Sequence, residues 1–347
     1  MPEAAAPETA PRALDPRFFD PGVAGDDVFT LANPDPASLD VDALLKLLAE
    51  AESQKSESVL IAQGDVIVAE KYFGHGGVRA TIQSVTKSVV SLALGVLLDD
   101  GKIPSLDVAA SKYFPEWATG EKAKVTLRHL MAHTSGLQDD PAGGLFAAAD
   151  SLAFARAQPL ASAPGDYFAY SNTGTVLLAD IIKQAAGKAA DAFVAERFFA
   201  PAGISDWKWA KDPAGNVSTA GGLFLAPRAL LRLGRLVHAK GSWNGKALVS
   251  ASWIMTSTTA ASSDFPCYAL LWWLLRDGCD SSTGLTGTAG PIQGFLADGW
   301  GGNYIAVTAS APVIGVRTKT PAPNDTFEEQ RKTAFEAFPH EVATLQK

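Results

Sequence analysis

Patterns typical of β-strands lie towards both ends of this 347-residue sequence, and the stretch between them is patterned mainly as helix. Ser58–Gln63 and Asp65–Phe73 predict two strands that meet at a hairpin turn around Gly64. Later strands are predicted at Ala269–Leu275, Gly302–Thr308 and Pro312–Thr318. Because strands need partners, we expect the two ends of the chain to build one sheet, with the helical stretch inserted as a subdomain.

The helices are predicted from apolar residues at helical spacing and from capping residues at their ends. They are Asp40–Ala51, Ser84–Asp100, Thr126–His133, Thr173–Ala186, Ala189–Phe199, Arg228–Ala239 and Asp325–Phe338.

The predicted fold class is α+β, a mixed fold with an antiparallel sheet flanked by helices and an inserted helical subdomain. The predicted organisation is an N-terminal arm (1–38), an α/β subdomain made of 39–83 and 215–347, and a helical subdomain (84–214). We expect the functional site in the cleft between the two subdomains. Seven prolines in the arm favour a segment that lies on the surface or is disordered rather than a packed element.

Composition excludes several classes of protein. A hydrophobic content of 47% excludes disorder for most of the chain, and a net charge of −8 argues against a nucleic-acid partner. The longest apolar stretch, Val89–Leu98, is interrupted by Ser91 and is too short to span a bilayer.

The compartment is less constrained by the sequence. Met1–Pro21 lacks an apolar core typical of a signal peptide, which favours a cytoplasmic protein over a periplasmic or secreted one whose leader has been removed. Two cysteines, Cys267 and Cys279, exclude a disulfide framework, and the spacing leaves open whether they pair.

The first candidate for chemistry is Ser84-Val85-Thr86-Lys87, at the predicted start of a buried helix. The three-residue spacing places both polar side chains on one helix face. Burial and the positive helix end lower the pKa of a lysine, and a nearby base is what a serine hydroxyl needs to become a nucleophile. The backbone N–H groups at the same helix end suit a developing oxyanion.

This spacing alone is weak evidence, because a chain of this composition contains about one such match by chance. A second match, Ser205-Asp206-Trp207-Lys208, lacks a helix-start signal, and we interpret it as accidental. The alternative for Ser84 itself is a helix cap followed by a surface lysine.

The second candidate is Tyr170-Ser171-Asn172, which follows a turn at Pro164-Gly165 and precedes a helix. A phenol beside a lysine ammonium ionises more easily, so Tyr170 is a candidate general base. The structural alternative is that Asn172 caps the helix and Tyr170 only packs.

The third candidate is the turn Gly299-Trp300-Gly301-Gly302-Asn303-Tyr304, at the start of a predicted strand. Glycines there allow a ligand to approach the backbone, and the Asn303 N–H is a candidate second oxyanion donor. The alternative is an ordinary glycine-rich turn.

Taken in order, these three motifs resemble those of the penicillin-recognising serine hydrolases, and more narrowly the class C β-lactamase-like branch, with S-x-x-K, Y-x-N and K/H-x-G. The segment Thr126–Leu137, Pro164-Gly165 and Ala220–Leu223 add to the resemblance, which covers roughly residues 40–340. It implies a mixed sheet beside a helical subdomain, with the site in the cleft between them.

The sequence departs from the lactamase pattern at Trp300, where lysine or histidine is usual. An indole offers apolar surface and one N–H donor but no charge. A W-G-G motif resembles the esterase members of the branch and favours uncharged acyl substrates over β-lactams.

The resemblance implies a serine hydrolase that cleaves carboxylic esters or small amides through an acyl-enzyme. Ser84 would attack, Tyr170, assisted by Lys87, would take the proton, and Asn172 would position Lys87 or an acyl amide. Trp300, Gly301, Gly302 and Asn303 would bind the substrate or its oxyanion. No cofactor is implied, the partner is a small molecule, and the oligomeric state stays open.

Two other functions remain as alternatives. One is a β-lactamase or D-alanyl-D-alanine peptidase, and the other is a binding relative without turnover. A zinc site at His129 and His133 has the right helical spacing but lacks the intervening glutamate and a third ligand, so we interpret both histidines as structural.

Overall fold

A computed structural model of the chain describes residues 13–74, 77–140, 143–280, 284–285, 288–309, 312–322 and 324–347. Its centre is a seven-stranded sheet in the order β1-β3-β2-β14-β13-β12-β9. The strands of this sheet are β1 (Thr30–Leu31), β2 (Ser58–Gln63), β3 (Val66–Tyr72), β9 (Trp273–Arg276), β12 (Ile292–Gly299), β13 (Asn303–Thr308) and β14 (Val313–Thr318).

The remaining strands form small ribbons around this sheet. They are β4 (Ala80–Thr81), β5 (Trp207–Trp209), β6 (Leu223–Leu225), β7 (Ser242–Trp243), β8 (Lys246–Ala247), β10 (Cys279–Asp280) and β11 (Gly284–Leu285).

The sheet joins the two ends of the chain, as the strand pattern predicted. β2 pairs with β14 in antiparallel register from Ser58 opposite Thr318 to Gln63 opposite Val313. The other neighbours along the main sheet are antiparallel too, except β1, which pairs with β3 in parallel. The predicted α+β fold class is therefore confirmed.

Helices cover both faces of the sheet and fill the insertion. They are α1 (Val41–Ser53), α2 (Val85–Asp99), α3 (Leu127–Met131), α4 (Gly144–Ala147), α5 (Ser151–Ala157), α6 (Asn172–Val176), α7 (Leu178–Ala186), α8 (Ala190–Val194), α9 (Pro227–His238), α10 (Ala251–Ser257), α11 (Phe327–Lys332) and α12 (Phe338–Ala343). Short 3₁₀ turns lie at Ala110–Lys112, Pro115–Trp117 and Glu121–Lys124, and a π turn at Ala195–Phe199 follows α8.

Neighbouring residues of β14 identify which helix covers which face. Ile314 lies against Gly234 of α9, whereas the next residue, Gly315, lies against Val342 of α12. Successive residues of a strand point to opposite faces. The sheet is therefore sandwiched between α9 on one face and α12, which packs on α1, on the other.

The N-terminal segment differs from the expectation of an unpacked arm. Within 13–38, Phe18, Phe19 and Phe29 are buried in the core, and β1 extends the sheet edge beside β3. Prolines occupy the turns of this segment, but the phenylalanines between them contribute apolar area whose burial stabilises the fold by about 1.5–3 kcal/mol each. The prolines therefore correctly predicted an irregular backbone in this segment. The expectation that the segment is not packed against the core was wrong.

Two elements near the site also differ from the predictions. β12 was not predicted, and the expected strand Ala269–Leu275 is replaced by a turn leading into β9 at Trp273, with Leu271 in the left-handed region. The expected C-terminal helix is split into α11 and α12, because Phe335 between them has φ +53°. Its ring is buried against Phe338 instead of continuing the helix.

Cys267 and Cys279, whose pairing the sequence left open, form a disulfide that bridges the turn before β9 and the ribbon after it. Within the part of the chain that the structure describes, no helix is both long and apolar enough to cross a membrane.

Candidate active site

Ser84 occupies the residue immediately before α2, a helix that is buried along almost its whole length. Two serines on this helix fix its position. The Ser88 and Ser91 hydroxyls donate to the carbonyls of Leu271 and Leu270, in the turn before β9, at 2.7 and 2.8 Å. The buried helix therefore holds Ser84 beside the turn that leads into β9.

Lys87, one helical turn on, is buried, with 2% of its surface exposed. Its Nζ lies 3.0 Å from Ser84 Oγ, 2.8 Å from Asn172 Oδ1 and 2.5 Å from the Ala220 carbonyl oxygen. Burial lowers the pKa of Lys87 to about 7, against the opposing influence of the Asp139 and Asp298 carboxylates. Lys87 is thus divided between its charged and neutral forms near neutral pH.

Tyr170 lies on the other side of the nucleophile and is hydrogen-bonded to Ser84. The Lys87 ammonium lies 4.8 Å from the centre of its ring. Nevertheless, burial raises the pKa of Tyr170 above its usual value, and the hydrogen bond from Ser84 only partly opposes that rise. The expectation that Lys87 makes this phenol easy to ionise is therefore not met, and Tyr170 is a neutral phenol near pH 7.

The helix α6 positions Asn172 without using its side chain as a cap. Ser171 performs that task, since its Oγ accepts the Gly174 N–H at 3.0 Å. Asp139 accepts the Thr173 N–H at 2.8 Å and secures the same helix start. The Asn172 amide oxygen is consequently available to accept from Lys87.

His133 supports Tyr170 from behind. Its ring centre lies 4.5 Å from that of Tyr170, Nδ1 accepts the Ser171 N–H at 3.1 Å, and Nε2 shares a hydrogen bond with the Tyr268 hydroxyl at 3.0 Å. Burial holds the pKa of His133 well below its usual value. His129 instead accepts the Thr126 N–H at the start of α3. Both histidines therefore pack and form hydrogen bonds within the fold. Among the described residues, no group of three or more His, Cys, Asp or Glu side chains is placed to hold a metal ion.

The third motif forms the tight turn between β12 and β13. Gly299 lies so close to the start of α2 that a Cβ there would stand 2.4 Å from the Ile82 carbonyl oxygen. Trp300 follows at the cleft rim, where its ring stacks on Phe327 at 4.5 Å and its Nε1–H donates to Gln330. The indole N–H is thus occupied, and Trp300 presents apolar surface to the cleft.

Asn303 does not reach the cleft. It is fully buried, pairs with Gly299 across the hairpin, and its side-chain amide donates to the carbonyls of Trp300 and Lys319. Within the described residues, by contrast, no hydrogen bond takes up the backbone N–H of Ser84 or of Trp300. These two donors line the cleft, so the oxyanion role expected of Asn303 fits Trp300 better.

Arg317 holds the back of this turn. It is fully buried, its Nη1 donates to the carbonyls of Gly302 at 2.7 Å and Ala334 at 2.8 Å, and its Nη2 donates to those of Thr333 and Gln54. Burial lowers the pKa of Arg317 to about 10, which leaves it charged at neutral pH. A guanidinium therefore ties the turn to the C-terminal helices.

Two adjoining cavities meet at Ser84, and Tyr170 and Trp300 line both. The polar lobe, of about 570 Å³, is distinguished by Gln83, Ser151, Lys211, Asp212, Asn216 and Ser218. The aromatic lobe, of about 470 Å³, is distinguished by Phe168, Phe265, Trp273, Tyr304, Asp298, Arg331 and Glu336. A larger hollow of about 770 Å³ between α1 and the C-terminal helices contains none of the motif residues.

The accidental S-x-x-K match lies outside these cavities. Ser205 precedes β5 and Lys208 lies within it, and both are exposed and line neither lobe.

Sequence reasoning missed several supporting groups: Asp139, the Ala220 carbonyl, Asp298 and Arg317. Asp298 directly precedes the third motif, so its position in the sequence could have identified it as a neighbour of the site. The others become neighbours of the site only through tertiary packing.

The fold places a helix-borne serine and lysine beside a sheet, where two cavities meet. The sequence model of the Beta-lactamase family matches residues 41–337. The chain belongs to this family, whose members are serine hydrolases.

Two curated relatives come from bacteria. Penicillin-binding protein 4* of Bacillus subtilis (strain 168) is 31% identical over 186 residues, 48% of this chain and 40% of that protein. D-alanyl-D-alanine-carboxypeptidase/endopeptidase AmpH of Escherichia coli (strain K12) is 35% identical over 146 residues, 38% of this chain and 37% of that protein. The matched part thus spans less than half the length of these relatives.

Solved structures share the fold at low sequence identity. A family VIII carboxylesterase superposes with a TM-score of 0.63 and 16% identity, over 86% of this chain and 98% of that one. A D-stereospecific amidohydrolase from Streptomyces sp. superposes with a TM-score of 0.60 and 20% identity, over 85% and 98%.

Proposed function

We propose that the protein hydrolyses carboxylic esters or small amides through an acyl-enzyme on Ser84. The observation that carries the proposal is the position of the Ser84 hydroxyl, which is hydrogen-bonded to both Lys87 and Tyr170 at the meeting point of two cavities. A nucleophile between two proton-transfer groups is what acyl transfer requires.

Lys87 is the better general base of the two. A neutral amine has two N–H donors and one lone pair. The charged ammonium donates to Ser84 Oγ, Asn172 Oδ1 and the Ala220 carbonyl oxygen. In the neutral amine, Asn172 and Ala220 accept the two remaining donors, so the lone pair faces Ser84 Oγ and takes its proton once the hydroxyl turns away from Tyr170. Its pKa of about 7 suits a base at neutral pH, whereas the raised pKa of Tyr170 does not.

The steps follow from these positions. Ser84 Oγ bonds to the substrate carbonyl carbon, its proton passes to Lys87, and the backbone N–H groups of Ser84 and Trp300 bind the oxyanion. Collapse breaks the bond to the alcohol or amine, which takes a proton from Tyr170, and Lys87 returns a proton to Tyr170. Water then bonds to the acyl carbon and gives a proton to Tyr170, which passes its own proton to Lys87. The bond from the acyl carbon to Ser84 Oγ breaks, Oγ takes a proton from Lys87, and the carboxylic acid leaves.

We propose that the part of the substrate that lies against the third motif is uncharged. Trp300 offers apolar surface there, and its N–H is already held by Gln330. The carboxylate of a β-lactam would lie against this indole without the usual cation, which is unfavourable. The solved carboxylesterase and amidohydrolase have the same fold, and the names of the curated relatives keep a peptidase as the second candidate.

The Cys267–Cys279 disulfide bears on the compartment. Disulfides persist mainly in oxidising compartments. This observation favours a periplasmic or secreted enzyme over the cytoplasmic one that the N-terminal sequence suggested.

Covalent labelling by a fluorophosphonate probe tests the proposal, with intact mass measured on the wild type, Ser84→Ala and Ser205→Ala. We expect a single adduct in the wild type and in Ser205→Ala, and none in Ser84→Ala. Ser205→Ala is the matched control because it belongs to the other S-x-x-K sequence. Labelling that persists in Ser84→Ala contradicts the mechanism, and absence of any adduct supports a binding relative without turnover.

A further inference from the structure

The two lobes beside Ser84 differ in chemistry. The aromatic lobe is lined by six aromatic side chains, which are Phe168, Tyr170, Phe265, Trp273, Trp300 and Tyr304. The polar lobe has more hydroxyl, amide and charged side chains in its lining, and its apolar part includes Phe146 and Phe224. A substrate that spans Ser84 therefore meets a different environment on each side of its scissile bond.

The rings of the aromatic lobe form one packed surface. Phe168 and Phe265 stack with their ring centres 4.0 Å apart, and Trp273 contacts both edge-on at 6.0 and 6.4 Å. Tyr170 lies nearly parallel to Trp273 at 6.1 Å. Phe168, Phe265 and Trp273 are each only partly buried, so the surface they share faces the cavity.

This surface is held in place from behind. Tyr268 is buried against Phe168 and Trp273, and its hydroxyl bonds to His133. The Cys267–Cys279 disulfide closes the loop that carries Tyr268 and Trp273. A rigid apolar wall needs little ordering when a ligand binds, which favours affinity.

The charged groups at the rim do not make the lobe a site for an anion. Arg331 has a carboxylate partner, Glu336, at 4.0 Å, and Asp298 adds a negative charge near Ser84. An uncharged group is therefore the better occupant of this lobe.

We propose that the aromatic lobe binds an uncharged phenyl-sized group of the substrate, so that the preferred substrates are esters or amides carrying an aryl group next to the scissile bond. This inference rests on the proposed hydrolase function. The lobe of about 470 Å³ exceeds the roughly 150 Å³ that suffices to hold benzene in a protein interior. The rings of Phe168, Phe265 and Trp273 bind the aryl group of the substrate through edge-to-face and offset-stacked contacts.

Three alkyl esters test this specificity, with turnover followed by proton release: ethyl acetate, benzyl acetate and ethyl phenylacetate. The two phenyl-bearing esters place the ring on opposite sides of the scissile bond. We expect one of them to exceed ethyl acetate in kcat/KM by about 10-fold or more, and the other to gain less, because the packed wall of Phe168, Phe265 and Trp273 lines one lobe and not the other.

Phe265→Leu identifies the lobe responsible. This variant should lower the ratio of kcat/KM for the preferred phenyl ester to kcat/KM for ethyl acetate about 3- to 10-fold, the range of an aromatic pair contact. Phe73→Leu is the matched control, since Phe73 is also partly buried but lines neither lobe.

The outcomes separate the two proposals. Ser84-dependent hydrolysis of all three esters with equal kcat/KM, or an aryl preference that Phe265→Leu leaves intact, overturns the aromatic lobe and leaves the hydrolase function standing. If no ester is hydrolysed in a Ser84-dependent manner, the hydrolase function falls and the aryl preference falls with it.

Discussion

If Lys87 is the base that activates Ser84, hydrolysis depends on the neutral form of its side chain. The pKa of Lys87 is about 7 because the ammonium is buried. The neutral fraction is then about one tenth at pH 6 and about nine tenths at pH 8. We therefore expect kcat/KM for p-nitrophenyl acetate to rise about 10-fold between these two values, and to be lost progressively as the pH falls below 7.

Substitution of a neighbouring carboxylate tests the direction in which the pKa of Lys87, and with it the acidic limb of the pH–rate profile, shifts. Asp298 raises the pKa of Lys87 by favouring its charged form. Asp298→Asn should therefore move the acidic limb of the profile to lower pH. Lys87→Arg should abolish the limb and lower kcat about 10²- to 10⁴-fold, since a guanidinium cannot accept the proton.

The assay is a pH–rate profile from pH 5.5 to 9, corrected for spontaneous ester hydrolysis with the Ser84→Ala variant. Circular dichroism at each pH verifies that the fold persists. A profile that is flat between pH 6 and 8, or a limb that Asp298→Asn moves to higher pH, would refute Lys87 as the base. A rate that is still rising at pH 9 without a plateau would return that role to Tyr170.

Three further predictions concern neighbouring residues. Lys87→Ala and Tyr170→Phe should each lower kcat about 10²- to 10⁴-fold, and the double variant should lose far less than the product in the same ester assay, because the two groups transfer one proton. Trp300→Lys should raise the ratio of nitrocefin to ester kcat/KM, even if both values fall; an unchanged ratio contradicts the role given to Trp300. Arg317→Lys should lower the free energy of unfolding in urea by about 2–4 kcal/mol, since buried carbonyls lose their donors; an unchanged midpoint contradicts this.

Elements with their own apolar periodicity were predictable from the sequence. The hairpin of β2 and β3 and the buried helix α2 fall within one or two residues of their predicted bounds. Ser84 and Lys87 were found because both belong to one helix, where spacing alone fixes their relation.

Elements that depend on neighbours were not predictable in the same way. β12, with the sequence IQGFLADG, contains two glycines and an aspartate, and its strand conformation depends on hydrogen bonds to β13 and β9 on either side. The helix break at Phe335 likewise depends on Arg317, whose guanidinium donates hydrogen bonds to the carbonyls of Thr333 and Ala334. Neither contact is visible in the local sequence.

The glycines of the third motif illustrate why a correct motif can carry an incomplete explanation. From the sequence, Gly302 was interpreted as a residue that lets a ligand approach the backbone. In the structure it has φ +90°, and a Cβ there would stand 1.9 Å from Arg317 Nη1 and 2.0 Å from the Ala334 carbonyl oxygen. Glycine is therefore required so that a buried cation can hold the turn from behind. Position 300 carries no positive charge. The Arg317 guanidinium lies behind the turn instead, where it binds backbone carbonyls and cannot contact a substrate carboxylate. This arrangement is consistent with a site for uncharged esters and amides.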